Sequence, residues 1–248
     1  MSAPATCCAV VELRRYMLHP GKRDVLIDLF EREFIETQEA AGISVIGHFR
    51  DLADPNRFVW LRGFADMQSR GASLSAFYHG PYWKAHRDAA NATMMDNDDV
   101  LLLRPARDGS GFVLNERARP PLGADRAAGL LVATLYYFAA PVDDAFVDFF
   151  EHGIAPEVVS TGASVLSYFV SEYGANSFPA LPVREGEHVF TWFALFRDQR
   201  SHDAHRAALA ESARWAELHV TLMRRLRYRS PEVLRLVPAS RSLIRVTR

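Results

Sequence analysis

The sequence repeats itself in its two halves, and this repeat limits the possible folds more than any other feature. Residues 26–31 (LIDLFE) and 42–49 (GISVIGHF) recur 120 positions later as FVDFFE and GASVLSYF. Residues 11–16 (VELRRY) recur 121 positions later as VATLYY, and residues 58–60 (FVW) recur 132 positions later as FTW. Matches in the same order, with small changes of spacing, predict a duplicated module whose second copy carries an insertion.

Each copy is predicted to have the order β-α-β-β-α-β. In the first copy, residues 10–18 alternate like a half-buried strand, and Pro20-Gly21 breaks the chain before an amphipathic helix. Asp54-Pro55-Asn56 is a turn signal between two further strands, and Gly80-Pro81 interrupts a mainly helical stretch. This order is that of the split βαβ, or ferredoxin-like, module. The predicted fold class is therefore α+β, with two tandem ferredoxin-like repeats.

The predicted domain boundaries follow the repeat. The first ferredoxin-like domain covers residues 8–106, a linker rich in Arg, Pro, Gly and Ala covers 107–129, and the second, diverged domain covers 130–240. The insertion lies near residues 173–186 and predicts an arm that covers a pocket or grips another subunit. Each four-stranded sheet leaves one face without helices. The two sheets would pack face to face, within one chain or between two chains.

Composition excludes several classes of function. The 248 residues carry a formal net charge of −1, whereas nucleic acids and anionic membranes attract a clear cationic excess. The two cysteines are adjacent and predict no disulfide framework, which is typical of a reducing compartment. No signal peptide and no apolar run long enough to span a membrane is evident. We therefore expect a cytoplasmic protein that has no nucleic-acid or membrane partner.

The first strand carries polar side chains on one face. Glu12, Arg14 and Tyr16 share this face, and Val11 and Leu13 lie on the opposite one. We expect the apolar set to meet the helices and the polar set to face the space between the two sheets. A carboxylate, a guanidinium and a phenol there would form either a ligand site or a satisfied ionic network.

The densest group of reactive side chains lies in residues 76–96 (AFYHGPYWKAHRDAANATMMD). His86 is the candidate acid–base group because imidazole titrates near neutral pH, with a hydrogen-bonded structural histidine as the alternative. Tyr78 and Trp83 would wall an apolar pocket, and Arg87 follows Trp83 on the same helical stripe. The second copy lacks the Gly-Pro-aromatic-Trp run, so this chemistry is predicted only in the first copy.

The nine histidines raise the question of a metal or haem. His202 and His205 are spaced i,i+3 on a predicted helix, with His219 about four turns further on, but no known metal-binding pattern follows. We therefore predict no metal site and no obligatory cofactor. Haem would need one axial histidine beside an apolar cleft, and His86 or His48 would be its candidates. The chain also lacks the glycine-rich motifs of nucleotide-binding proteins.

Several separated motifs resemble those of the NIPSNAP family. They are VELRRY at 11–16, Pro20-Gly21, RFVWLRGF at 57–64, AFYHGPYW at 76–83 and NATM at 91–94. The resemblance covers about residues 10–106, and the second half looks like a diverged copy. It implies a dimeric α/β-barrel architecture, but no single reaction. The wider superfamily includes cofactor-free monooxygenases, isomerase-like proteins and haem-dependent enzymes, so the resemblance implies a small-molecule cleft between sheet and helices.

We therefore predict a small-molecule enzyme that oxidises, isomerises or cleaves a partly aromatic metabolite. His86 would move a proton, and Arg14 and Arg62 would neutralise a developing oxyanion. The predicted substrate-binding residues are Glu12, Tyr16, His48, Tyr78, Trp83 and Arg87. The alternatives are a non-catalytic binding or scaffold protein of stress response or signalling, and a haem-binding monooxygenase or dehydratase. A homodimer or a higher homo-oligomer is expected in each case.

Overall fold

A computed structural model describes residues 6–115, 119–226 and 230–246 of the chain. The first half contains β1 (Val10–Leu18), α1 (Arg23–Leu29), a π-helical turn (Phe30–Phe34), α2 (Ile35–Ala40), β2 (Ser44–Asp51), β3 (Arg57–Phe64), α3 (Met67–Tyr78), α4 (Pro81–Asn91) and β4 (Met94–Pro105). The second half contains β5 (Leu130–Phe138), α5 (Asp144–Phe149), a π-helical turn (Phe150–Ile154), α6 (Ala155–Ser160), β6 (Ser164–Ser171), β7 (His188–Phe196), α7 (Gln199–Glu211), α8 (Ala213–Arg225) and β8 (Glu232–Pro238).

The eight described strands close into one antiparallel barrel, in the order β1-β3-β2-β8-β5-β7-β6-β4. Two junctions join the halves: β2 pairs with β8, as in Phe49 opposite Pro238, and β4 pairs with β6, as in Leu103 opposite Ser171. The predicted mixed α/β barrel is confirmed, and one chain closes it without a partner. Among the described helices, none has both the length and the apolar composition needed to cross a membrane.

Apolar side chains from both halves fill the barrel interior. Val11 and Leu13 of β1 lie there, fully buried, in one cluster with second-half residues such as Leu131 and Phe193. Phe112, from the predicted linker, packs in the same cluster, 5.1 Å between ring centroids from Phe193. An eight-stranded barrel has just enough interior space for side chains to fill it. The barrel interior is therefore a packed hydrophobic core.

The orientation predicted for β1 is wrong. Tyr16 belongs to the cluster that packs against the first-half helices, and Glu12 and Arg14 share its face of the strand. Inside the barrel, the neighbours of Val11 and Leu13 form an apolar cluster, whereas on the helix side Glu12 meets Arg70 of α3. Because a buried charge needs a partner, the polar set lies between sheet and helices.

The sequence match predicts that β1 corresponds to β5 at a spacing of 121 residues, and this spacing is also wrong by one position. Val10 pairs with Phe64, and Leu130 pairs with Phe196 in the second half. Because Phe64 and Phe196 correspond, Val10 corresponds to Leu130, at a spacing of 120 residues. Structural correspondence therefore follows a spacing of 120 through β1 and β5 and of 132 through β3 and β7. A shift by one residue would turn every side chain to the opposite face.

Candidate functional site

Four charged side chains meet between the sheet and the helices of the first half, and we call them the ionic cluster. Oε2 of Glu12 accepts hydrogen bonds from Nη1 of Arg14 and Nε of Arg62, both at 2.6 Å. Oε1 of Glu12 accepts one from Nε of Arg70 at 2.7 Å. All four residues are at most 1% exposed. Strand pairing places Glu12 opposite Arg62, and α3 contributes Arg70 from above.

Electrostatics keep Glu12 ionised. Burial alone would raise the pKa of this carboxyl, but the charges of Arg62, Arg14 and Arg70 outweigh it and hold the pKa far below its usual range. Conversely, burial would lower the pKa of Arg14, but the nearby Tyr16 and Glu12 raise it overall. The predicted residues Glu12, Arg14, Arg62 and Tyr16 are thus brought together, as a network whose polar atoms mostly bind one another.

A small pocket lies beside the ionic cluster, and we call it the first-half pocket. Its volume is about 50 Å³, and its walls include Tyr16, Gln38, Trp60, Phe77, Tyr78 and Trp83. The hydroxyl of Tyr16 accepts a hydrogen bond from Nε of Arg14 at 2.9 Å, and that of Tyr78 accepts one from Nη1 of Arg62 at 3.4 Å. Tyr78 and Trp83 therefore wall an apolar pocket, at the position that the sequence predicts for them.

Residues 172–187, between β6 and β7, close this pocket, and we call them the cover segment. Phe178 stacks on Tyr78, with 5.9 Å between ring centroids, and Leu181 lines the pocket. Nη1 of Arg70 donates to Oδ1 of Asn176 at 2.9 Å and to Oγ of Ser177 at 3.1 Å. The insertion therefore covers a pocket mouth, one of the two roles that the sequence predicts for it.

His86 and Arg87 do not reach the pocket. Nε2 of His86 lies 3.3 Å from Oε2 of Glu33, and the histidine side chain is 31% exposed. Arg87 is more exposed and lies beside Asp88, with Nε 3.4 Å from Oδ1. Their predicted roles stay predictions: His86 is half-buried against the π-helical turn, near Phe34, and Arg87 is exposed to solvent. A surface ion pair of this kind contributes little to stability.

His48 occupies a separate buried site. Its Nε2 lies 2.8 Å from Oε1 of Glu31, and Oε2 of Glu31 accepts a hydrogen bond from Oγ of Ser240 at 2.6 Å. Burial lowers the pKa of His48, so the imidazole is neutral and donates to the carboxylate. His48 lines none of the described pockets, and His86 pairs with Glu33 at the surface. Neither histidine therefore fits the axial position of a haem.

The Glu31 contact predicts an acid-sensitive step in folding stability. Burial tends to raise the pKa of Glu31, but hydrogen bonds from His48 and Ser240 lower it from 4.5 to about 2. Its stabilising contribution is complete above pH 4.5 and is lost as the pH falls toward 2. We expect Glu31→Gln to flatten this part of the pH profile of the unfolding free energy, measured in urea. Glu211→Gln, at an exposed position, should leave the profile unchanged; equal flattening in both variants would contradict the assignment.

The second half has a larger space at the corresponding position, and we call it the second-half cavity. Its volume is about 470 Å³, and its lining includes Tyr136, Val158, Trp192, His202, His205 and Trp215. Three aromatic positions are shared between the two sites: Tyr16 with Tyr136, Trp60 with Trp192, and Trp83 with Trp215. Ligand pockets commonly measure about 300–1,000 Å³, so this cavity has the size of a small-molecule site.

Side-chain replacements explain the difference in volume. Glu12, Arg14, Arg62, Arg70 and Tyr78 correspond to Val132, Thr134, Ala194, His202 and Ala210. Each second-half residue is smaller, so the space that the ionic cluster fills in the first half is left open. The connection that corresponds to the cover segment is the one between β2 and β3, and it contains only residues 52–56. The second-half cavity therefore has no long cover of this kind. Ala210 at the rim is exposed to solvent.

The second-half cavity contains two buried histidines one turn apart on α7. His202 and His205 are 4% and 5% exposed, and burial lowers the pKa of both, which keeps them neutral at pH 7. Nδ1 of His205 lies 2.9 Å from Oγ1 of Thr161 and 3.3 Å from its carbonyl oxygen. A carbonyl only accepts, so Nδ1 of His205 carries the proton. Nε2 is left with a free lone pair, as a general base requires.

Tyr136 complements the histidines with a proton donor. Its hydroxyl accepts a hydrogen bond from Nε1 of Trp192 at 3.2 Å, and burial raises its pKa to about 12. The phenol is therefore protonated at neutral pH, and its own O–H remains available to an acceptor in the cavity. A neutral base and a phenolic donor thus share one aromatic cavity. This combination supports removal of a proton next to a developing oxyanion.

Comparison with known proteins identifies the first half of the chain. The family model described as NIPSNAP matches residues 11–108. The first half therefore carries a match to the NIPSNAP family. The predicted resemblance is confirmed there, while the second half lies outside the match. No curated protein matches the chain significantly.

Solved structures extend the comparison beyond the NIPSNAP domain. A structure described as an anthrone oxidase-like protein is 11% identical, covers 93% of this chain and 91% of its own, and has a TM-score of 0.58. A candidate monooxygenase from Lactobacillus acidophilus NCFM is 13% identical over 96% of this chain and 99% of its own, with a TM-score of 0.53. A NIPSNAP-like domain protein from Burkholderia xenovorans is 26% identical over 46% of this chain and 90% of its own, with a TM-score of 0.37. The first two likenesses show a common fold for nearly the whole chain.

The second-half cavity lies outside the site predicted from the sequence, because that prediction rests on motifs of the first half. His202 and His205 were visible at their i,i+3 spacing, but only as metal ligands. Their role as a buried neutral pair depends on burial and on Thr161, which contacts His205 from 44 residues away. The sequence signal that indicates this cavity is the replacement of large residues of the first half by smaller residues at the corresponding positions of the second half.

Proposed function

We propose that the chain is an enzyme that binds a small, partly aromatic molecule in the second-half cavity and removes a proton from it. The observation that carries this proposal is the meeting of His205, with a free Nε2, and the protonated Tyr136 in one aromatic cavity. Trp192 and Trp215 offer flat apolar walls to the ligand. Isomerisation and oxidation by molecular oxygen both begin with such a step.

The proposed reaction needs only the substrate and, for oxidation, oxygen. Nε2 of His205 accepts a proton from a carbon that is conjugated with a carbonyl group, and the electron pair is delocalised onto the carbonyl oxygen. The hydroxyl of Tyr136 donates to this oxygen and stabilises its charge. In anthrone this carbon is the ring methylene opposite the carbonyl. Molecular oxygen bonds to it and takes up the proton held by His205 to give a hydroperoxide. The O–O bond then breaks with loss of water, and the remaining oxygen atom becomes the second carbonyl of anthraquinone. The similar fold of an anthrone oxidase-like protein supports anthrone as a probe, as an analogy of fold.

The finer predictions from the sequence complete this proposal. We propose that both halves descend from one ferredoxin-like module and that the enzyme works in the cytoplasm. We also propose that the protein is a homo-oligomer, in which each chain closes its own barrel. In this proposal the ionic cluster stabilises the first half. His86, Arg14 and Arg62 would act as catalytic groups only if the first-half pocket opens to a substrate.

A substitution that copies the first half tests the cavity. Tyr78 stands where the second half has Ala210, so Ala210→Tyr should fill the rim of the second-half cavity. We expect kcat/KM for anthrone oxidation to fall about tenfold or more, which corresponds to ~1.4 kcal/mol of lost transition-state binding. Anthraquinone formation and oxygen uptake are measured together. Ala207→Tyr introduces the same side chain on α7, at an exposed position outside the cavity lining, and should retain full activity.

The alternatives give different results in the same experiment. A scaffold protein would show no oxygen uptake above the uncatalysed rate with wild type. An enzyme that uses the first-half pocket would retain activity in both Ala210→Tyr and His205→Phe. Circular dichroism and thermal unfolding of each variant show whether a loss of activity reflects a loss of fold.

A further inference from the structure

The ionic cluster has an unbalanced charge. Three guanidinium groups, those of Arg14, Arg62 and Arg70, surround the carboxylate of Glu12. Among the described residues, no other carboxylate forms an ion pair with these arginines. The adjacent phenol of Tyr16 does not supply the missing charge, because burial raises its pKa. A net charge of about +2 is therefore enclosed at a site that is at most 1% exposed, which is costly without a counter-ion.

Hydrogen-bond donors at this site outnumber the acceptors. Nη2 of Arg62 and Nη2 of Arg70 are buried and have no hydrogen-bond partner among the described residues. The hydroxyls of Tyr16 and Tyr78 each accept a hydrogen bond from an arginine, so the proton of each phenol is available to another acceptor. Both phenols line the first-half pocket. Arginine contacts make these O–H groups stronger donors toward an anion.

We propose that the first-half pocket binds one small monovalent anion, held by the hydroxyls of Tyr16 and Tyr78 in the field of the arginine cluster. This site is separate from the second-half cavity and does not depend on the proposed reaction. The chemistry is that of a halide or a one-carbon carboxylate, since both accept hydrogen bonds and carry a single charge.

The size of the pocket sets the upper limit of the ligand. A volume of about 50 Å³ exceeds the ~30 Å³ share of one liquid water molecule, so it holds an ion of very few atoms. Phe178 and Leu181 of the cover segment close the mouth against a larger acid. Close contact of the cover with α3 depends on Gly71, where an added Cβ would lie 2.8 Å from the carbonyl oxygen of Ser177.

Thermal unfolding of the full chain tests the proposal. Sodium chloride and sodium formate are titrated against sodium gluconate at equal ionic strength, because gluconate is too large for the pocket. We expect Tm to rise with the logarithm of the small-anion concentration above its Kd, by about 5–10 °C at 100 times its Kd. The double variant Tyr16→Phe/Tyr78→Phe removes both O–H groups but keeps the rings, and should lose the rise. Tyr136→Phe, the matched change in the second half, should keep it.

Each outcome decides the question. A rise with chloride and not formate, or the reverse, supports the site and identifies its ion. Equal Tm values in all three salts, or the same rise in the double variant, would overturn the proposal. If chloride raises the Tm of wild type, a crystal of wild type soaked in sodium bromide provides a second test, which needs no variant. An anomalous peak between Tyr16 and Tyr78 supports the site, whereas peaks at the surface alone mean an adventitious ion only and overturn it.

Discussion

Replacing Glu12 by glutamine is expected to lower the free energy of unfolding by about 3–5 kcal/mol, the typical cost of breaking a buried ion pair by removing one partner. Glu12 is fully buried and accepts hydrogen bonds from three guanidinium groups at 2.6–2.7 Å. Glutamine keeps the size of the side chain but removes the only carboxylate of the ionic cluster. The arginines would then repel one another in a medium that screens their charges poorly. Urea unfolding at pH 7 measures the difference.

A surface ion pair provides the control for this prediction. Asp148 pairs with Arg107, and its side chain is 59% exposed. We expect Asp148→Asn to change the unfolding free energy by about 0–1 kcal/mol, because solvent screens such pairs. If Glu12→Gln costs no more than Asp148→Asn, the charge of Glu12 does not hold the cluster together, and the anion site proposed beside it would lose its physical basis.

Replacing His205 by phenylalanine is expected to lower kcat for anthrone oxidation by about 10²–10⁴-fold, the usual contribution of a general base. Phenylalanine retains the packing against Phe196, whose ring centroid lies 5.0 Å from that of His205. It removes the Nε2 lone pair that the reaction uses. Thr161→Val removes the hydroxyl that accepts from Nδ1 of His205 and should cause a smaller loss, because the backbone carbonyl still accepts.

The pH dependence of wild type gives a second measurement of the same base. Burial lowers the pKa of His205 from its usual 6.5, so the base stays unprotonated to a lower pH than a free histidine. We expect kcat/KM to rise with pH, with a midpoint below pH 6.5. A midpoint above 6.5, or an unchanged profile in His205→Phe, would point to another base. His202, on the same face of α7, is the next candidate.

Much of the architecture was predictable because it depends on local patterns. Alternation in β1 and the turn at Asp54-Pro55-Asn56 mark strands, and Pro81 lies at the predicted start of a helix, with Gly80 as its N-cap. Asp143 caps α5 through a hydrogen bond from the backbone N–H of Phe146, as its position before an amphipathic run suggests. Signals of this kind act over a few residues and do not depend on the rest of the chain.

The side chains around the candidate sites could not be placed in this way. The alternation in β1 shows that Glu12 and Leu13 lie on opposite faces, but not which face meets the helices. The answer depends on Arg70, which lies 58 residues away and pairs with Glu12, and on the apolar interior of the closed barrel. The volume of a cavity similarly depends on every wall at once, and the second-half cavity is bounded by residues from 132 to 235.

The amino-acid sequence by itself determined the order of strands and helices and the NIPSNAP resemblance of the first half, since both are encoded in local patterns of residues. Tertiary structure alone decided that one chain closes the barrel, that its interior is apolar, and that the second half holds the open cavity. The physical reason is that contacts between distant segments of the chain determine which side chains are buried and which charges pair. Glu12 and His205 acquire their properties from Arg70 and Thr161, which only the folded chain brings to them.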